Sequence, residues 1–202
     1  MQARSCQGGT GKADATGTQI WRASSVAADV CCGGFLPPGA NVVELGCGCA
    51  LAGIICALAG ANHVCLTDVD GAALELAQAN ARLNNVIHKV SVSYLDWNLA
   101  SESELLSDSK FDCLVAADTL YDSHQSGALI GAIDHFLKAG GRALIVTDGD
   151  PCRSATARAE IGRFQNEVQL HQSLKIKSIW PALLEEFQHV QVMEIEKSVK
   201  SQ

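Results

Sequence analysis

Three glycines follow a short apolar run in the segment VVELGCGCALAG (42–53). Gly46 and Gly48 permit a tight turn and let the backbone approach a bound group closely, whereas Gly53 lets a following helix pack against the strand. A strand that runs into such a loop is typical of sites that bind a nucleotide or a nucleoside. The same segment is also compatible with a plain strand-to-helix turn, so the residues that follow it must decide.

The spacing of the glycines separates two classes of ligand. A dinucleotide-binding fold uses Gly-x-Gly-x-x-Gly, but here Leu51 stands three residues after Gly48 and the third glycine comes only at Gly53. This spacing disfavours a pyrophosphate. The second apolar run ends in LTD, and the carboxylate of Asp68 can accept hydrogen bonds from both ribose hydroxyls of a nucleoside. We therefore expect a nucleoside ligand, with or without phosphate.

A third run ends in YLDW, which adds a carboxylate and an indole. Asp96 can accept a hydrogen bond from an adenine amino group, and Trp97 offers an apolar flank to the base. Taken alone, these two residues fit a surface turn with a half-buried tryptophan equally well. Because they stand in register with Gly46 and Asp68, we favour an adenosine site.

Short β-rich apolar runs alternate with helical segments along the chain and must position these residues. The runs are at 42–45, 64–68, 90–95, 111–117 and 142–147, and the helical segments are Ala50–Ala59, Gly71–Leu83 and Ser126–Leu137. Such alternation predicts right-handed βαβ units in an α/β fold, with a parallel sheet that is covered on both faces. Ligands of such sheets bind at the carboxyl ends of the strands, where the candidate residues lie.

Length and composition favour one folded unit. The chain has 202 residues, of which 48% are hydrophobic. This is enough for one sizeable hydrophobic core, but the chain is short for two. Residues 1–16 are small, polar and glycine-rich, and we expect them to form a disordered tail. Residues 17–202 are expected to form a single domain, which we take to be monomeric.

Charge and hydropathy exclude several classes of partner. The formal net charge is −7 at pH 7, and no run of Lys or Arg clusters on one predicted face, which argues against nucleic acid and favours basic protein partners. We find neither a membrane-spanning apolar stretch nor the pattern of a signal peptide, so we expect a soluble protein with no membrane partner. The cytoplasm is the expected compartment, the nucleus is an alternative, and the mitochondrion is less favoured. Its nine cysteines fall mostly in apolar positions and lack metal-ligand spacing, so we expect reduced thiols and no metal.

Five segments together resemble one family: GTQIWRAS, VVELGCGCALAG, LTDVD, YLDWN and AADTLYD, in this order. They are similar to the S-adenosylmethionine-dependent seven-strand methyltransferases. The Asp-x-x-Tyr pattern at Asp118–Tyr121 more narrowly resembles the branch that contains the protein N-lysine methyltransferases. The resemblance covers roughly residues 17–150. It implies a Rossmann-like, doubly wound, mostly parallel sheet of six to seven strands, S-adenosylmethionine as cofactor and a protein substrate that carries the target lysine.

The resemblance also implies roles for individual residues. Asp118 and Tyr121 would face the transferred methyl group, and the residues implied to line the cofactor are Trp21, Glu44, Gly46, Gly48, Asp68, Trp97 and Ala117. Trp21 stands ahead of the first strand, where we expect it to close over the cofactor as part of a lid.

The chemistry gives a separate reason for the residue types at the acceptor end. A sulfonium methyl group is already activated, so transfer depends mainly on in-line positioning of a neutral amine. Asp118 can hold the incoming amine, and Tyr121 can supply an aromatic wall and a hydroxyl. The alternatives are that Asp118 caps a helix and that Tyr121 is merely a half-buried aromatic residue.

Other acceptors remain open. A methyltransferase for protein arginine or a small nitrogen heterocycle is one alternative, although Asp118 without a paired glutamate is a poor match for a guanidinium group. A catalytically silent domain that binds adenosylmethionine is another. Asp148, Asp150 and Arg153, in VTDGDPCR, are expected on the rim of the cleft. Their Gly-Asp-Pro-x-Arg pattern resembles lysine methyltransferases that act on a mitochondrial flavoprotein.

The end of the chain departs from the family pattern. WPALLEEFQ (180–188) predicts a helix, and HVQVMEIEK (189–197) predicts a strand. Either residues 175–179 form a sixth strand and VQVMEI the seventh, or the last strand of the fold is missing. A missing strand would expose a sheet edge, with a cost in stability.

Overall fold

The computed structural model describes residues 15–102, 110–183 and 185–199. Most of the predicted tail therefore lies outside the described residues, and its last two residues begin a 3-10 helix, Ala15–Thr18. The strands are β1 (Asn41–Leu45), β2 (His63–Asp68), β3 (Val90–Tyr94), β4 (Phe111–Ala117), β5 (Leu137–Asp148), β6 (Leu174–Pro181) and β7 (Val190–Lys197). The α-helices are α1 (Arg22–Val30), α2 (Leu51–Leu58), α3 (Gly71–Leu83), α4 (Gln125–Phe136) and α5 (Ala155–Leu170).

All seven strands join one sheet in the order β3-β2-β1-β4-β5-β7-β6. The first five strands are parallel, and β7 is antiparallel to both β5 and β6. The sheet reverses its strand order between β1 and β4, which places a crevice at the carboxyl ends of these two strands. The predicted α/β fold with a doubly wound, mostly parallel sheet is confirmed.

Alternate residues of the central strands feed two apolar cores, one on each face of the sheet. In β1, Val42 belongs to the core under α1, α2 and α3, whereas Val43 belongs to the core under α4 and α5. Both side chains are fully buried. Because both faces are covered, these strands read as nearly continuous apolar runs, which made them the easiest elements to predict.

Helix ends follow local capping chemistry. Asp70 accepts a hydrogen bond from the backbone N–H of Ala72 at the start of α3, and Ser154 accepts one from Ala157 at the start of α5. The bounds of α3 agree with the prediction, and α2 and α4 agree within one residue at each end. No element was predicted for 155–170, where the structure has α5. This helix buries Ile161, Phe164 and Val168 and exposes much of its length to solvent, so its apolar signal is thin.

The predicted C-terminal helix is wrong. Trp180 and Pro181 belong to β6, where they pair with Val192 and Gln191 of β7. Between β6 and β7, the only helical element among the described residues is a short 3-10 turn, Glu185–Phe187. Long-range pairing outweighs the helical propensity of the Ala-Leu-Glu composition. Pro181 is tolerated because β6 lies at the edge of the sheet. The choice between the two alternatives for the end of the chain is thereby decided, since the seventh strand is present.

Within the described ranges, no helix is both long and apolar enough to cross a membrane. The cysteines in these ranges are all free, and six of them are buried, which agrees with their interpretation as small apolar residues: Cys31, Cys47, Cys49, Cys56, Cys65 and Cys113.

Candidate active site

The loop between β1 and α2 has a backbone that only glycine accommodates well. Gly46 and Gly48 have positive φ angles of 66° and 51°. A Cβ atom on Gly46 would lie 3.0 Å from Thr119 Cγ2 and 3.1 Å from Trp97 Cζ2. On Gly48 it would lie 3.0 Å from the carbonyl oxygen of Gly17. Each glycine is therefore required both by its backbone angle and by its neighbours, as the sequence pattern indicated.

Glu44 lies beneath this loop and does not line the cleft, contrary to the role that the resemblance implied. The residue is 3% exposed, and its carboxyl group accepts a hydrogen bond from the backbone N–H of Gly53 at 2.9 Å. Burial raises the pKa of Glu44 to about 8, the Gly53 N–H opposes this rise, and the charge of Asp68 adds to it. Glu44 therefore fastens the start of α2 to the end of β1.

Asp68, at the end of β2, ties the second strand to the glycine loop. One carboxylate oxygen accepts the N–H of Gly48 at 2.9 Å, and the other accepts the N–H of Asp70 at 3.0 Å. A carboxylate oxygen can accept more than one hydrogen bond. Asp68 therefore retains acceptor capacity on the wall of the cleft, as its predicted contact with a ribose requires.

A cleft of about 600 Å³ opens at the carboxyl ends of the parallel strands. Asp96 lies on its wall, where one oxygen accepts both the backbone and the side-chain N–H of Asn98 at 2.9 Å. Nine of the ten predicted site residues border this cleft, and Glu44 is the exception: Trp21, Gly46, Gly48, Asp68, Asp96, Trp97, Ala117, Asp118 and Tyr121.

Asp118 follows β4 in a left-handed conformation, with φ of 58°. Its backbone N–H donates to the carbonyl of Val146 at 2.8 Å, and its carboxylate is engaged by Arg153, whose Nη1 lies 2.7 Å from each oxygen. Burial raises the pKa of Asp118, and the Arg153 guanidinium opposes that rise. The helix-cap alternative is wrong, because α4 begins only at Gln125.

Tyr121 also borders this end of the cleft and is 43% exposed. The side-chain oxygen of Gln125 accepts the backbone N–H groups of Tyr121 and Asp122 at 3.0 and 2.9 Å. Gln125 therefore fixes the loop that carries the tyrosine. Sequence reasoning missed this role, because a glutamine in the first turn of a helix matches no motif.

Trp21 precedes α1 and lies on the rim of the cleft, 37% exposed. The guanidinium of Arg153 lies 5.8 Å from the centre of its indole ring, which is within the range of a cation–π contact. Next to it, Arg22 pairs with Asp150 at 3.0 Å. The predicted rim residues Asp150 and Arg153 thus meet the start of α1. Both contacts join residues that are more than 100 positions apart in the sequence, so no local sequence pattern could predict them.

In the part of the chain that the structure describes, no group of three or more His, Cys, Asp or Glu side chains is arranged to hold a metal ion.

Comparison with known proteins places these features in a family. A family model described as lysine methyltransferase matches residues 9–149, more than half of the chain. The protein N-lysine methyltransferase METTL21A of Danio rerio is 34% identical over 134 residues, which are 65% of this chain and 56% of that protein. The electron transfer flavoprotein beta subunit lysine methyltransferase of Xenopus laevis is 28% identical over 116 residues, 57% of this chain and 44% of that protein.

A relative with a different printed acceptor also matches. The histidine protein methyltransferase 1 homolog of Dictyostelium discoideum is 31% identical over 111 residues, 54% of this chain and 35% of that protein. The chain thus spans about a third to just over half of the length of these relatives.

Solved structures share the fold. An O-methyltransferase from Bacillus cereus, solved in complex with SAH, has a TM-score of 0.65 and 15% identity, covering 89% of this chain and 83% of that one. At this identity the likeness shows the fold alone. With the family match over residues 9–149, the chain belongs to the lysine methyltransferase family.

Proposed function

We propose that this chain is an S-adenosylmethionine-dependent protein N-lysine methyltransferase. The observation that carries the proposal is that one cleft joins a nucleoside-type end, with Gly46, Gly48 and Asp68, to an end bordered by Asp118 and Tyr121. Family membership and the printed names of two relatives support a lysine acceptor. The net charge of −7 suits a basic protein substrate. We further propose that the protein acts as a monomer in the cytoplasm.

The residues present fit the proposed cofactor. The cleft, at about 600 Å³, has the size of small-molecule sites in proteins. The buried hydroxyl of Thr119 borders the cleft and has no hydrogen-bond partner among the described residues, so it can contact a bound group.

Several residues that border the cleft have a proposed contact with the cofactor. We propose that Asp68 accepts hydrogen bonds from the ribose hydroxyls, that Asp96 and Trp97 contact the adenine, and that Trp21 and Ala117 complete the wall. Glu44 acts beneath the wall by holding the start of α2.

The chain's own task is positioning. When bound, S-adenosylmethionine supplies a methyl group on a sulfonium sulfur, which the lone pair of a neutral amine can accept. We propose that Tyr121 supplies the aromatic wall beside the incoming amine and that Asp118 sets the polarity of the acceptor end. Gln125 holds the tyrosine loop in place through its two backbone hydrogen bonds.

Methyl transfer from radiolabelled S-adenosylmethionine into a cell lysate, followed by mass-spectrometric mapping of the modified residue, tests the proposal. Label on lysine side chains of a protein supports it. Label on histidine or arginine, or on a small molecule, would replace lysine as the acceptor. Binding of S-adenosylhomocysteine without any transfer would favour the silent-domain alternative.

Variants of Asp118 and Tyr121 separate chemistry from cofactor binding. Asp118→Ala should lower methyl transfer about 100-fold, because it releases Arg153 and disturbs the geometry of the acceptor end, whereas Tyr121→Phe should have a smaller effect. The affinity for S-adenosylhomocysteine should stay within a few fold in both. Asp122→Ala is the matched control, because Asp122 adjoins Tyr121 and is exposed. Equal losses of cofactor affinity and of transfer would remove Asp118 from the proposed acceptor end.

A further inference from the structure

The acceptor end of the cleft contains an ion pair that differs from its neighbour on the rim. The side chains of Asp118 and Arg153 are only 7% and 19% exposed, and Arg153 contacts both carboxylate oxygens. In the adjacent pair, Arg22 is 54% exposed and contacts a single oxygen of Asp150. Exposed ion pairs contribute little to stability. A shielded carboxylate that loses its partner, in contrast, is an uncompensated charge and binds another cation strongly.

The position of Arg153 is fixed by several contacts. Its backbone N–H donates to the carbonyl of Asp150 at 2.9 Å, and the next residue, Ser154, caps α5. Its guanidinium also faces the ring of Trp21. The arginine is therefore held between the indole and Asp118, and its positive charge has a fixed position at the acceptor end of the cleft.

We infer that Arg153 is a positioning residue that prevents Asp118 from holding the acceptor amine as an ammonium ion, so that the site takes up the neutral amine. This inference rests on the proposed methyl transfer to lysine. An ammonium nitrogen has no lone pair and cannot accept a methyl group. A shielded carboxylate without a partner would bind the ammonium form and keep it protonated. Because the Arg153 guanidinium already pairs with Asp118, the carboxylate does not bind the ammonium form of the acceptor.

Other ionisable groups also face this end of the cleft. The charge of Asp148 acts on Asp118 and raises its pKa, but one oxygen of Asp148 already accepts the N–H of Asp150 at 3.0 Å. Tyr121 and His124 lie on the side of α4. The carboxylates of Asp68 and Asp96 lie on the β2 and β3 side, at the end proposed for the nucleoside. A substitution of Arg153 leaves all of these groups in place. A change in amine binding or in the pH profile of such a variant therefore reports on the pair of Asp118 and Arg153.

The first experiment measures amine binding without catalysis. In protein loaded with S-adenosylhomocysteine and labelled with ¹³C at aspartate Cγ, the Asp118 resonance is followed while n-butylammonium chloride, a mimic of the lysine side chain, is added at pH 7. We expect no response in the wild type or in Arg22→Ala, and a saturable response in Arg153→Ala. Arg153→Met keeps an apolar contact for Trp21 without the charge, and it replaces Arg153→Ala if that variant does not fold. A saturable response in the wild type, or none in the arginine variants, would overturn the inference.

The second experiment uses the acceptor protein that the lysate experiment identifies. In Arg153→Ala, the rise of methyl transfer with pH should move upward by about one pH unit, because the bound amine stays protonated longer. Arg153→Lys should restore the wild-type profile, and Asp118→Asn, which leaves the guanidinium uncompensated, should move it downward. If Arg153→Ala lowers the rate of methyl transfer equally at every pH, Arg153 has only a structural role and the inference is wrong. Failure of the wild type to methylate lysine would overturn the proposed function instead, and the amine titration would still report on the pair.

Discussion

The two ends of the cleft are built from different kinds of contact. At the nucleoside end, backbone groups predominate: Gly46 and Gly48 form the loop, and Glu44 and Asp68 bind backbone N–H groups beneath and beside it. At the acceptor end, side chains from separate segments meet, as Arg153 reaches both Asp118 and Trp21. The first end is therefore determined by the strand–loop–helix unit itself, whereas the second depends on how distant loops come together. Substitutions of the glycines at the first end should cost stability, and substitutions at the second end should cost function.

The strongest test of a backbone-built end is Gly53→Ala. A Cβ atom there would lie 2.3 Å from Leu66 Cδ2 and 2.4 Å from Glu44 Oε2, so these two buried side chains must shift. We expect a loss of about 3 kcal/mol in the free energy of unfolding. Gly162→Ala in α5 is the control, because a Cβ atom there meets nothing within 4 Å, and it should be neutral or slightly stabilising. Equal stability of the two variants in urea unfolding would contradict the prediction.

The buried carboxyl of Glu44 gives this end a pH dependence. Its pKa is about 8 in the folded protein, against an ordinary value of 4.5. Below pH 4.5 the group is protonated in both states, and between pH 4.5 and 8 only the unfolded chain loses the proton, so the wild type loses stability as the pH rises. Glu44→Gln should be about 2–3 kcal/mol more stable than the wild type at about pH 6.5 and similar to it at pH 4.5. Parallel pH profiles of the two proteins would show that Glu44 titrates normally.

Asp68 tests whether the nucleoside end binds what its shape suggests. S-Adenosylhomocysteine should raise the melting temperature of the wild type, because the unfolded chain has no such site. Asp68→Ala should remove most of this shift, since a hydrogen bond to a charged acceptor contributes about 2 kcal/mol. Glu75→Ala, a carboxylate on α3 away from the cleft, is the control and should keep the shift. An unchanged wild-type melting temperature at saturating ligand would contradict the proposed cofactor.

The backbone-built end is also the part that could be predicted from the sequence. β1 and β2 are buried on both faces, so their apolar runs stand out, and the glycines after β1 have the spacing of a ligand-binding loop. α3 begins at a local cap and carries a clear helical pattern between turn residues. In these places the local signal and the tertiary environment agree, which is why the bounds agree closely.

Predictions failed where a long-range contact overrides the local signal. The 180–188 segment has helical composition, yet Trp180 and Pro181 extend β6 because β7 is available to pair with them. Asp118 stays a predicted acceptor-end residue, but no local pattern indicated that Arg153, which is distant in sequence, engages its carboxylate. Glu44 was expected in the cleft, and it turns inward to Gly53. Sequence indicated which residues gather at the strand ends, but not which of them would pair with one another.

The smallest expected effect concerns Trp21 and the idea of a lid. The tryptophan directly precedes α1, whose Ala23, Val26 and Ala27 are buried, so a rim residue anchored to the core is a better description than a freely closing lid. Trp21→Ala should weaken binding of S-adenosylhomocysteine a few fold, about 1 kcal/mol, through lost contact area and the lost partner of Arg153. Ile20→Ala is the matched control, because Ile20 is 64% exposed, and it should bind normally. Removing residues 1–14, which lie outside the described residues, should also leave binding intact. Calorimetric titration of the three variants decides: equal weakening by Trp21→Ala and by the truncation would mean that the N-terminal segment acts as a whole, and Trp21 would lose its individual role.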